Sequence, residues 1–181
     1  PEVPDLPARG VQVSLFEGLS AHERWPKASA LPAETMRWTA DAFAFTRLPF
    51  RYDDWGVRDG WKAPVMLRAA ADISLSPGRH RFLLRARSTS RLWINGAVVA
   101  RTKPHGASTD GHEPVPPLPE PPLPGLRPVD YGDQEVFGEA EIGADGRCRV
   151  ILDAMVGGKK LRPEPGEMCV AVLDAAGKTY E

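Results

Sequence analysis

The feature that most restricts how this chain can fold is Arg91-Leu92-Trp93-Ile94-Asn95-Gly96-Ala97-Val98-Val99-Ala100, two β-rich runs separated by Asn-Gly. A type I′ turn needs positive φ at both central positions, and Asn and Gly both tolerate it, so the stretch predicts a two-residue β-hairpin. Upstream, Val65 to Leu75 reads as a strand, Ser76-Pro77-Gly78 as a turn and Arg79 to Arg87 as a second strand. In that second strand His80, Phe82, Leu84 and Ala86 share one face, while Arg79, Arg81, Leu83 and Arg85 share the other. The first face is expected in the core and the second in water. Downstream, Gln134 to Ile142, Arg147 to Val156 and Glu167 to Asp174 read as three more strands. A turn at Ala144-Asp145-Gly146 and a Gly- and Pro-rich loop at Gly157 to Gly166 separate them.

The front of the chain is less periodic. Residues 1–10 form an irregular lead-in, and Val11, Val13 and Leu15 alternate with Gln12, Ser14 and Phe16 in a short strand. Between Ala21 and Gly60 apolar and aromatic runs occur at Met36 to Trp38 and Phe43 to Phe50 without a clear period, and Tyr52 to Trp61 reads as a loop carrying Trp55 and Trp61. Residues 102–132 are a long excursion whose core, Glu113 to Gly125, is too rich in proline for anything but polyproline II. With 19 Pro and 17 Gly in 181 residues, long helices are disfavoured and short strands with many turns are favoured. The expected fold is all-β: one antiparallel β-sandwich over residues 11–181, preceded by the lead-in and interrupted by the proline-rich loop 102–132.

A weak internal repeat runs through the same region. Ala71-Asp72-Ile73 followed by Gly78 to Ala86 reappears as Ala140-Glu141-Ile142 followed by Gly146 to Ala154. One reading is two hairpins with the same in/out pattern, one in each sheet or related by pseudo-symmetry, with His80 and Cys148 in equivalent core-side places. The other is chance similarity between two amphipathic hairpins.

Several function classes are excluded. No stretch approaches the ~20 apolar residues that span a bilayer, and no basic segment followed by an apolar run marks a signal peptide. A formal net charge of −1 argues against nucleic acid as a partner. Cys148 and Cys169 allow one bridge or two buried thiols but no disulfide framework. Because the chain opens on Pro1 and closes on Tyr180-Glu181, it is expected to be a fragment of a longer protein.

The stretch Ile73-Ser-Leu-Ser-Pro-Gly78 through Arg91-Leu92-Trp93-Ile94-Asn95-Gly96-Ala97-Val98-Val99 resembles the signature of PA14 domains, and Gly146 to Ala154 is similar to a later strand of that family. The resemblance covers the back two-thirds of the chain and implies a β-sandwich of about ten strands. Many members bind glycans or sit inside glycosidases and adhesins. It therefore implies a non-catalytic binding module of a periplasmic, cell-surface or secreted protein, with glycan or neighbouring domains as partners. Calcium-dependent PA14 lectins carry an Asp-Asp pair just before the hairpin, where this chain has Arg87-Ser88. A cationic arginine cannot replace a hard oxygen ligand. No cofactor is expected from that pair, and calcium elsewhere stays open. Gly132 to Val136 and Val156 to Glu167 look like segments of large bacterial envelope proteins that often carry c-type haem domains. No Cys-x-x-Cys-His occurs here to attach a haem.

Between positions 68 and 101 seven arginines face a single acid, Asp72, a local excess of +6. Arg79, Arg81 and Arg85 are the candidates for an outward patch that grips anionic polysaccharide, phosphate or carboxylates. The plainer role is solubilising and protecting an outer strand face. Flat indoles stack on sugar rings, and Trp55 and Trp61, set among Asp53, Asp54 and loop glycines, are the platform candidates, with Trp93 or Trp38 expected inside. His105, Asp110, His112 and Glu113 cluster in a loop, at spacings that match no zinc pattern.

Enzyme motifs fail on their particulars. Gly18-Leu19-Ser20-Ala21-His22 lacks the second glycine of a nucleophile elbow. His22-Glu23 meets Pro26 where a second metal histidine would stand, and Gly177-Lys178-Thr179 lacks the first glycine of a P-loop. The primary expectation is a binding module, with carbohydrate as ligand. The alternatives are an architectural domain packing against other domains of a multidomain, c-type cytochrome-like protein, and third a part of a glycoside-processing enzyme.

Overall fold

A computed structural model describes the chain apart from residues 4, 21–24, 50, 54–55, 59–60, 62–63, 105–116 and 158–166, and gives the backbone alone for 51–53 and 56–58. Its strands are β1 (Val11–Phe16), β2 (Glu34–Ala40), β3 (Ala44–Phe45), β4 (Arg51–Asp53), β5 (Gly56–Arg58), β6 (Val65–Ser74), β7 (Gly78–Ala86), β8 (Ser90–Ile94), β9 (Ala97–Arg101), β10 (Gln134–Ile142), β11 (Arg147–Val156) and β12 (Met168–Val172). They form a six-stranded sheet in the order β2-β1-β6-β11-β8-β9, a four-stranded sheet in the order β10-β7-β12-β3, and the small ladder β4-β5, with every pairing antiparallel. The two large sheets make the expected β-sandwich. Among the described residues no helix is long and apolar enough to cross a membrane.

The core lies between the two large sheets and is filled from alternate positions. Val13, Leu15, Val65, Leu67, Ala69, Leu92, Val150 and Leu152 come from one sheet, and Phe82, Leu84 and Ala86 from the other. Each fully buried large apolar side chain contributes about 1.5–3 kcal/mol of transfer free energy, which is what holds the layers together. On one side the sandwich nearly closes, because β10 passes β9 so tightly that a Cβ on Gly138 would lie 2.4 Å from the Val99 carbonyl oxygen. Only glycine fits that corner.

The Asn95-Gly96 hairpin forms as expected between β8 and β9, with φ of 47° and 86° at its two central residues. Asn95 also ties the turn to the neighbouring strand: its Nδ2 donates to the Arg147 carbonyl at 3.0 Å and its Oδ1 accepts from the Arg149 N–H at 2.8 Å.

The other two expected hairpins are corrected. β6 and β7 lie in different sheets, as do β10 and β11, so each strand-turn-strand unit is an arch across the core. The arches interlock: β6 pairs β11 through Ser74 opposite Arg147, and β7 pairs β10 through Gly78 opposite Ile142. The internal repeat thus maps onto a pseudo-symmetric pair. Alternation could not separate hairpin from arch, since both turn the apolar set toward the same core. His80 and Cys148 are also not equivalent, because His80 is half-buried and Cys148 is buried.

Two aperiodic regions are ordered by tertiary context. Met36 to Trp38 lies in β2, whose Trp38 stands opposite Val13, and Tyr52 to Trp61 contains the β4-β5 ladder rather than a plain loop. The lead-in covers the outer face of the six-stranded sheet, where Val3 and Leu6 pack on Ala70, Ile151 and Trp93. Beside it Phe16, Leu19, Met66 and Met155 form a second small cluster with Trp25 and Leu31 against it. The six-stranded sheet is therefore buried on both faces over much of its area.

Candidate functional site

The arginine excess of the sequence is largely cancelled in space by acids from strands that pair with the arginine-bearing ones. Arg79 bridges to Glu139 on β10, and both stay largely exposed. Arg81 is exposed and lays its guanidinium over the Phe137 ring at 4.3 Å. Arg85 is not on a wet face. Its side chain is 4% exposed and pairs with Glu135 at 2.8 Å and Glu167 at 3.2 Å, and it also donates to the Arg127 carbonyl. The end of the proline-rich excursion folds over this part of β7, with Arg87 holding Asp133 at 2.7 Å. The proposed row of three outward arginines is therefore two exposed arginines and one buried anchor.

Of the candidate aromatic platform, Trp61 packs against the core and donates its indole N–H to the Pro49 carbonyl at 3.0 Å. Asp54 and Trp55 lie outside the described residues, as do the side chain of Asp53 and the His105, Asp110, His112, Glu113 cluster. Among the described residues one other acidic group stands out, Asp130, Asp133 and Glu167, whose oxygens lie within 4.8 Å of one another. Arg85, Arg87 and Arg127 hold it from three sides, so it is compensated as an ion-pair network.

The outer face of the six-stranded sheet carries the more telling constellation. Strand register sets Arg68 on β6, Asp153 on β11 and Arg91 on β8 side by side in one row. Asp153 is fully buried; it accepts both arms of Arg68 at 2.7 and 3.0 Å and a longer bond from Arg91 at 3.4 Å. Arg91 lies over two indoles, its guanidinium 3.8 Å from the Trp25 ring centroid and 5.1 Å from that of Trp93. Burial pulls the Arg91 pKa below the ordinary guanidinium value, and Asp153 opposes this only in part. A cavity of about 640 Å³ opens here, lined among others by Lys27, Leu31, Met66, Arg68, Arg91 and Trp93. Beside it, Arg91 Nε and Trp93 Nε1 are shut from water and have no acceptor among the described residues.

Sequence reasoning counted Arg68 and Arg91 only as part of the arginine excess, named Trp93 as one of two indoles expected inside although it is half-buried on the outer face, and passed over Asp153, although a signal was there. Arg68 and Asp153 each interrupt an apolar strand, Val65 to Ala71 and Val150 to Val156, at the outward positions of the alternation. Charges in the middle of such runs are retained only when they meet a partner. At the far end of the same face a polar groove of about 650 Å³ is lined by Asp72, Asn95, Asp145, Arg147 and Arg149. There Arg149 grips Asp72 with both arms at 2.7 Å and holds its carboxyl below the usual range. Between the sheets an apolar cleft of about 330 Å³ is lined by Phe43, Ile73, Phe82, Val150 and Val172. Free Cys148 is buried in the core, and free Cys169 is half-buried on the other sheet.

No protein-family model matches the sequence, and no curated protein matches it. Solved structures do. The PA14 sugar-binding domain from an RTX adhesin is 11% identical, with 96% of this chain covering 93% of that one at a TM-score of 0.55. The PA14 domain of the MpAFP antifreeze protein is 10% identical, with 99% of this chain covering 91% of that one at a TM-score of 0.59. The epithelial adhesin 9 A domain from Candida glabrata, in complex with Galβ1-3GlcNAc, is 9% identical, with 96% covering 85% at a TM-score of 0.51.

Proposed function

We propose that this chain, whose fold is the PA14-type β-sandwich, is a non-catalytic binding module with carbohydrate as its ligand class, carried by an exported protein. The observation that supports the reading is the cavity on the outer face of the six-stranded sheet, where half-buried Trp93 and Arg91 share the lining with Lys27, Leu31 and Met66. Indoles offer flat apolar faces to sugar rings, and arginine supplies directional donors to ring oxygens and hydroxyls. Two of the three fold neighbours described above are, by their own descriptions, a sugar-binding domain and an adhesin domain holding a disaccharide.

The competing roles find less support. An architectural domain needs a broad apolar face to pack on its neighbours. The large hydrophobic side chains exposed among the described residues are Leu118 and Tyr131, which make no such face. A hydrolase needs two carboxylates across a cleft; among the described residues the Asp130, Asp133 and Glu167 group is tied up by arginines, and in the polar groove Asp72 is gripped by Arg149.

The test is a glycan array probed with the folded 181-residue chain, followed by calorimetric titration of any sugar retained. The reading expects saturable binding that is lost when Arg91 and Trp93 are both replaced by Ala. A flat array across neutral and acidic sugars contradicts it.

A further inference from the structure

Residues 102–133 separate β9 from β10. Ordered connections longer than about 12–15 residues are uncommon in compact domains and are usually functional. The base of this one is closed by Gln134, whose Oε1 accepts from the Lys103 N–H at 2.9 Å and whose Nε2 donates to the Lys103 carbonyl at 2.8 Å. The returning limb is pinned as well: Val129 is buried, Arg85 donates to the Arg127 carbonyl at 2.8 Å, and Arg127 bridges to Glu167. Before it, Leu123-Pro124-Gly125-Leu126 makes a tight turn, closed by the Leu126 N–H on the Leu123 carbonyl at 3.2 Å. Gly125 has the positive φ, 82°, that a type II turn requires.

The outgoing limb is held differently. Residues 117–120 are exposed, and among the described residues 117–121 join no ladder and no turn. Leu118, at 51%, is the most exposed large hydrophobic side chain among the described residues. The sequence carries Pro-Pro-Leu-Pro twice, at 116–119 and 121–124, with Glu120 between the copies. In the second copy Leu123 is half-buried and opens the turn, whereas in the first Leu118 stands in solvent. One leucine anchors the loop and the other is left free. Proline fixes φ near −65°, which holds the limb close to polyproline II, with backbone carbonyls turned to solvent.

We propose that residues 117–122 are a docking ridge, read in the polyproline II conformation by an aromatic-lined groove on a partner protein domain. The inference stands apart from the carbohydrate reading and uses a different part of the molecule. Prolines and Leu118 offer an apolar ridge that fits between flat aromatic side chains, and the free carbonyls accept from the Trp or Tyr donors of such a groove. The pinned base and turn remove conformational freedom that an unattached tail would lose on docking. Glu120 is the single charge between positions 114 and 126, so the matching groove carries a basic residue at its rim.

The test uses the folded 181-residue chain, a synthetic peptide of residues 114–122, and two domains that read polyproline II through aromatic grooves, an EVH1 domain and a WW domain. Calorimetric titration is expected to show saturable binding of the chain to at least one of them, no weaker than that of the peptide, because the limb is already held in place. Leu118→Ala with Pro119→Ala is expected to weaken that binding by about fivefold or more, with the urea midpoint unchanged. The same variant keeps whatever sugar the array retains, so the docking ridge and the carbohydrate reading can fail separately. Binding of the peptide but not of the chain overturns the proposal, since the fold would then cover the limb. Binding by neither, or binding of the chain that the double variant leaves unaltered, overturns it as well.

Discussion

Replacing Asp153 by Ala removes the buried acid that pairs with two half-buried arginines, and the cost follows from burial. The Asp153 side chain is 0% exposed, that of Arg68 is 15% and that of Arg91 is 21%. Breaking a buried ion pair from one side costs about 3–5 kcal/mol, because the remaining charge is left desolvated. Both arginines keep some access to water, which points to the lower end, about 3 kcal/mol. For a chain of this length that lowers Tm by roughly 6–12 °C. The same chemistry in a wetter place supplies the control. Arg149 and Asp72 make an equally close two-armed bridge at 2.7 Å, but their side chains are 44% and 45% exposed. Asp72→Ala is expected to cost only about 0.2–1 kcal/mol. Urea denaturation of both variants, compared at unchanged m, measures the two costs directly. A third variant separates compensation from packing: apolar replacement of Arg68, Asp153 and Arg91 together is expected to recover most of the loss. If Asp153→Ala and Asp72→Ala cost the same within about 0.5 kcal/mol, the burial argument is wrong.

Three further outcomes are expected. Gly138→Ala pushes a Cβ into the Val99 carbonyl and should destabilise by about 2–4 kcal/mol, with faster amide exchange along β9 and β10. Asn95→Ala loses the side chain that favours positive φ and two bonds to β11, and should cost about 1–3 kcal/mol in a denaturation series, whereas Gly96→Ala, whose Cβ meets open space, should cost only the ~1–2 kcal/mol of left-handed backbone. Burial raises the Cys148 thiol from 9.0 to about 11, so folding favours its protonated form. Its contribution is intact below pH 9 and lost as pH climbs through the folded value, so the fall in stability between pH 9 and 11 should be shallower in Cys148→Ala.

What could be read from the sequence was whatever alternates. The β8-β9 hairpin, the strands from Val65 to Val172 and the sandwich class all rest on period-2 patterning and on one Asn-Gly turn. The same patterning is silent about which strand lies beside which, and so β6-β7 and β10-β11 were expected as hairpins where the chain builds arches. Strand β2 does alternate, with Met36, Trp38 and Ala40 half-buried between exposed Arg37 and Thr39, but the run is short and lies in the otherwise aperiodic stretch from Ala21 to Gly60, so its pattern did not stand out. For the site, local charge was misleading. Arg85 follows the outward pattern in sequence but is covered by Glu135, Glu167 and the returning excursion, all distant along the chain. The Arg68, Asp153 and Arg91 row depends on pairings across 62 to 85 residues, which no local window contains.

The most direct measurement is a titration of the 15N-labelled chain with the saccharide best retained on the array, followed by proton–nitrogen correlation spectra. The account predicts that the Trp93 indole N–H signal moves first and furthest, together with amides of β6, β8 and β11. Shifts confined to Arg79, Arg81 and their neighbours on the four-stranded sheet, with the Trp93 indole unmoved at saturation, would contradict it.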